Sequence, residues 1–99
     1  MNNIQIDIAN QITSGFVSID SVKDFERLLQ RFPEDPALHR MFSDLLIKNK
    51  LPNAAATSYG KAAELYLKSG QLLQAMVSRI LQWEIYAPSY KSAQLFFSA

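Results

Sequence analysis

His39 is the only histidine of the chain, and so the only side chain whose ordinary pKa suits it to proton transfer near neutral pH. A general base needs a second group to work on and a third to orient it. No Ser/His/Asp order can be drawn around one His at the start of a helix, so His39 reads as a helix residue beside the core. Glu34, Asp35 and Asp44 could suggest a hard-cation site, but three carboxylates are too few oxygens for calcium. Glu34 and Asp35 also stand where helix caps and helix dipoles favour acids. Arg27, Arg31 and Arg40 are interleaved with Glu26, Glu34 and Asp35, which argues against a surface that tracks phosphates. The chain has no Cys and only three Gly. Thiolate chemistry, Cys-based metal sites and a phosphate-cradling loop are therefore not expected. The reading is a non-catalytic protein with no cofactor and no metal.

The elements that would position these residues must fit in 99 residues, which is room for one domain. Apolar residues make up 48% of the chain, enough to form a core. Ten Lys and Arg against nine Asp and Glu leave a net charge of +1, which gives no reason to expect nucleic acid or an anionic membrane as partner. Met1 to Phe16 has neither a basic start nor a continuous apolar run, so no signal peptide is expected there. No stretch approaches the roughly 20 apolar residues of a membrane span. Absence of Cys fits a reducing compartment, and the expectation is a soluble cytoplasmic protein.

Residues 1–19 read as an N-terminal arm or a short helix. Ile4, Ile6 and Ile8 alternate like a strand, while Ile4, Ile8 and Ile12 fit a helical stripe. Ser14-Gly15 breaks either one. Residues 20–99 read as a helical domain. Asp20 or Ser21 caps a first helix with Asp24 completing a capping pattern, and Val22, Phe25, Leu28, Leu29 and Phe32 share its face. Pro33 ends it. Asp35-Pro36 opens the next helix, with a stripe of Leu38, Met41, Phe42, Leu45 and Leu46, and Asn49-Lys50 closes it. Pro52 opens a third helix reaching about Ser69, with Ala55, Tyr59, Ala62, Ala63 and Tyr66 on one face and Gly70 as its left-handed cap. A fourth runs from about Leu72 to Tyr86, and its wide apolar stripe predicts cover on two sides. After Ala87-Pro88, Tyr90, Ala93 and Phe97 fit one face of a further helix. The short connections make consecutive helices antiparallel neighbours. The fold class expected is all-α, with about five helices in antiparallel hairpins.

Tandem helical hairpins raise the question of internal repeats. His39, Phe42 and Ser43, followed by Ala55, Tyr59 and Ala62, resemble the two helices of a tetratricopeptide repeat. In that family small residues let helix backbones approach and an aromatic fills the space beside them. A second, offset match runs from Tyr59 through Gly70 and Ala75 to Pro88. It departs from the family at Arg79 and Gln82, where an aromatic and an Ala are usual. The resemblance covers roughly residues 22–88 and implies a right-handed α-α superhelix. The stretch Ala62 to Glu84 is also similar to helical N-terminal regions of some bacterial cyclic-nucleotide-binding regulators, but it holds no nucleotide-binding motif.

What the tetratricopeptide resemblance implies is a protein-interaction module that binds a peptide or partner protein in a helical groove. Mapped onto this chain, the groove candidates are Arg40, Asp44, Ile47 and Lys48 on the second helix and Lys61, Glu64 and Lys68 on the third. A different expectation comes from the C-terminal aromatics. Solenoids normally end in a polar helix, whereas Trp83, Tyr86, Phe96 and Phe97 crowd this end. Either these rings fold back onto the fourth helix, or they form the interface of a homodimer, which would make the chain an oligomerisation domain of a larger regulatory protein.

Overall fold

The structure, a computed structural model, describes residues 8–15 and 19–86. The described residues form five helices and no strand: α1 (Ile8–Thr13), α2 (Val22–Arg31), α3 (Pro36–Lys48), α4 (Pro52–Lys68) and α5 (Leu72–Tyr86). The expected helix around Tyr90, Ala93 and Phe97 lies outside the described residues, as do Ile4 and Ile6.

Local chemistry sets the helix ends. The Ser21 hydroxyl accepts the Asp24 N–H at 3.4 Å and starts α2. Asp35 Oδ1 accepts the N–H groups of Ala37 and Leu38 at 3.0 and 3.3 Å, and Pro36 occupies the first turn of α3. The helices α3 and α4 end the same way. Leu51 N–H donates to the Leu46 carbonyl, and Gln71 N–H to the Tyr66 carbonyl, each closing a six-residue loop. The motif needs a left-handed residue just past the helix. Gly70 takes it at φ +78°, and Lys50, not a glycine, takes it at φ +61°.

Consecutive helices pack as antiparallel hairpins, with α4 sandwiched between α3 and α5. The sequence of α4 explains why it can be covered on both flanks. Ala55, Ala56, Ala62 and Ala63 are almost wholly buried, so both neighbours approach its backbone closely. Tyr59 and Tyr66 fill the space left between them. On the other side of α3, Phe25 of α2 stacks on Phe42 at 5.6 Å between ring centroids. Ala9 of α1 joins Phe25 and Leu38 in the same apolar cluster, so residues 8–13 are a short docked helix.

The apolar stripe of α5 departs from expectation. Its width predicts cover on two sides, yet among the described residues only Ala75 and Ser78 are buried, with Val77, Leu81 and Ile85 half-buried. Leu72, Leu73, Met76, Ile80, Trp83 and Tyr86 are each more than half exposed. Packing against α4 uses the narrow small-residue edge of α5 and leaves the wide edge outward.

Candidate functional site: a groove between α3 and α5

Two buried serines fix the side of α3 that meets α4. Ser43 on α3 and Ser58 on α4 both donate to the His39 carbonyl at 2.9 Å. They satisfy its second acceptor site and pin the two helices in register. The His39 ring turns elsewhere: its Nε2–H donates to the Pro33 carbonyl at 2.8 Å and ties down the α2–α3 turn. A histidine so used is a structural fastener.

That registration sends Arg40 and Asp44 to the flank of α3 that faces α5 across α4. Tyr59 and Tyr66 lie two turns apart on one face of α4, both buried, and Tyr66 lines the cavity beside this flank. The Tyr59 hydroxyl donates to Asp44 Oδ1 at 2.5 Å. Burial pushes the Tyr59 phenol well above its ordinary range, and the bond to Asp44 and the carboxylate charge push it further, against the Arg40 guanidinium. Burial also raises the Tyr66 phenol, which the Arg40 charge lowers and the Asp35 charge raises. Arg40 therefore acts on both phenols. It is half-buried, and its Nε–H is shielded from water with no hydrogen-bond partner among the described residues. The ion pair between Arg27 and Asp24 does not involve it.

The groove opens at its upper end into a cavity of about 550 Å³. Phe32, Pro33, Pro36 and Ala37 line one wall together with the acids Glu34 and Asp35, Gln71 and Gln74 line the other, and Tyr66 the floor. Apolar rings with side-chain amides and two carboxylates around them suit an extended chain: rings accept side chains, amides pair with peptide groups, and the acids favour a segment that is not itself acidic there.

The residues expected to share a groove divide among several surfaces. Arg40 and Asp44 stand together beside Tyr59. Lys48 lines a depression of about 340 Å³ toward α1, with Ile12, Asp20 and Phe25, and Asp44 reaches its edge. Lys61 lines a cavity of about 350 Å³ on the opposite flank of α3, with Glu26, His39 and Phe42. Ile47 is exposed, and Glu64 and Lys68 lie on the outward face of α4. Of the aromatic interface residues, Trp83 and Tyr86 stand on the outer face of α5, whereas Phe96 and Phe97 lie outside the described residues. Sequence reasoning took Tyr59 and Tyr66 as core only. Their seven-residue spacing on a helix with small neighbours was the available sign of a shared face. Gln71 and Gln74 gave none.

Where the resemblance departs from the repeat pattern, the chain has its own solution. Gln82 Nε2 of α5 donates to the Ala56 carbonyl of α4 at 2.9 Å, and Arg79 Nη1 donates to Gln82 Oε1 at 2.9 Å. Gly60 makes room for the amide, since a Cβ there would lie 2.6 Å from Gln82 Nε2. A polar stitch joins the helices where an aromatic and an alanine are usual.

Among the described residues no group of three or more His, Asp or Glu is placed to hold a metal ion. No described helix is long and apolar enough to cross a membrane. No protein-family model, no curated protein and no solved structure matches the chain.

Proposed function

We propose that this chain is a non-catalytic interaction module that binds an extended segment of a partner protein in the groove between α3 and α5. The observation that carries the reading is Arg40. A half-buried guanidinium whose shielded Nε–H lacks an acceptor is costly to leave without compensation, and a ligand carboxylate or carbonyl at its terminal nitrogens would offset that cost. Tyr66 gives the same ligand an aromatic floor, and the cavity beside Phe32 and Tyr66 has room for one of its larger side chains. The antiparallel hairpins and the tetratricopeptide resemblance agree with this use of the concave side of the array.

Selection of peptides from a displayed library against the whole chain tests the proposal. Peptides that bind the parent chain should lose most of their affinity for Arg40→Glu, while Lys61→Glu, on the opposite flank, should bind them as before. A selection whose peptides bind Arg40→Glu and the parent equally would remove the groove from consideration.

A further inference from the structure

The outer face of α5 is a second surface, independent of the groove. Leu72, Leu73, Met76, Ile80, Trp83 and Tyr86 are exposed by between 52% and 70%, and they follow one stripe along a helix of 15 residues. Globular proteins rarely leave a contiguous apolar patch of more than a few hundred Å² open to water. Six side chains of this size present on the order of 800 Å², the share one partner gives to a standard-size interface.

We infer that this face binds a second copy of the chain, with the two α5 helices antiparallel about a two-fold axis. Four of the six stripe residues pair with one another about a point between Arg79 and Ile80. A two-fold axis there sets Leu73 against Tyr86 of the other copy and Met76 against Trp83, a thioether on an aromatic ring, which is a favourable contact. It places Ile80 against Arg79 of the other copy, so that the two Ile80 side chains flank the axis. A surface complementary to itself in this way is what a two-fold dimer requires. The charge pattern agrees. Arg79, the cation nearest the axis, turns its guanidinium toward Gln82 of its own helix, so two guanidinium groups do not meet across the interface. The stripe itself holds no carboxylate.

The test is the solution mass of the whole chain by light scattering over a dilution series, for the parent and for Met76→Glu/Ile80→Glu. The parent should have about twice the 11.2 kDa mass of the chain, and the double variant the mass of one chain with unchanged helix content. Because these 99 residues include no Cys, single cysteines give a second reading. Ile80→Cys, at the axis, should oxidise to a covalent dimer, and Leu67→Cys, exposed on α4, should not. A parent that stays monomeric throughout would overturn the inference. So would a dimer that survives the double variant, or a double variant that loses thermal stability while both proteins remain monomers, since the face would then be covered from within the chain. Arg40→Glu should leave the mass unchanged, so this inference and the groove reading stand or fall separately.

Discussion

Tyr59 of α4 donates its phenolic hydrogen to Oδ1 of Asp44 on α3 at 2.5 Å, and this bond ties the two helices together beside Arg40. Tyr59 is only 5% exposed while Asp44 is an exposed residue, so the phenol spans from core to rim. Tyr59→Phe keeps the ring and removes the bond. It should lower unfolding stability by about 1 kcal/mol, read as a lower urea midpoint at an unchanged slope. Asp44→Ala should cost a similar amount, and the double variant little more than either alone, since both delete one interaction. Fully additive losses would mean the bond contributes nothing in solution.

The same phenol makes stability fall at alkaline pH. The folded state holds Tyr59 protonated above the ordinary tyrosine range, which begins near 10, so above that pH the unfolded chain binds fewer protons than the folded one. Unfolding stability should therefore be level below about pH 10 and decline as pH rises beyond it. Tyr66, raised by burial, contributes in the same direction. Chemical melts from pH 8 to 12 check this, and Tyr59→Phe should make the decline shallower. A decline of the same steepness in that variant would assign it to other groups.

Ser78 is wholly buried on α5, and its hydroxyl has no hydrogen-bond partner among the described residues. A buried unpaired hydroxyl costs free energy, so Ser78→Ala should stabilise the protein by about 1 kcal/mol. Ser58→Ala should do the opposite by a similar amount, because that hydroxyl bonds the His39 carbonyl across the α3–α4 interface. Thermal melts of the two variants should shift in opposite directions. Equal downward shifts would mean that the Ser78 hydroxyl does find a partner.

Gly60 sits inside α4, where alanine would add about 1 kcal/mol of helix stability. Its Cβ would displace the Gln82 amide from the Ala56 carbonyl, a loss of about the same size. Gly60→Ala alone should thus be close to neutral. In a Gln82→Ala background the amide is already gone, and the same change should be stabilising by about 1 kcal/mol. A Gly60→Ala effect that is the same in both backgrounds would show that the amide does not hold this position.

The sequence by itself determined the elements. Ser21, Asp35-Pro36, Pro52 and Gly70 are local devices whose effect reaches only a turn or two, so α2, α3 and α4 begin and end within a residue or two of where they are expected. The buried face of α4 was equally legible, because Ala55, Tyr59, Ala62, Ala63 and Tyr66 repeat with the helical period. Arg40 and Asp44 could be named as groove candidates, but periodicity could not set them apart from Lys48 and Lys61. Only the tertiary structure did so, because the flank of α3 that a residue occupies relative to α5 depends on how the two hairpins rotate against each other. The pairing of Tyr59 with Asp44, 15 residues apart, and of Gln82 with Ala56, 26 apart, is likewise fixed by that rotation. The wide stripe of α5 marks the same boundary. Composition announced that the helix is apolar on more than one side, but which edge α4 covers and which faces outward followed from the close approach that Gly60, Ala75 and Ser78 permit. Local signals act through the backbone of a few neighbouring residues, whereas the choice of contact edge is made by the packing of whole helices.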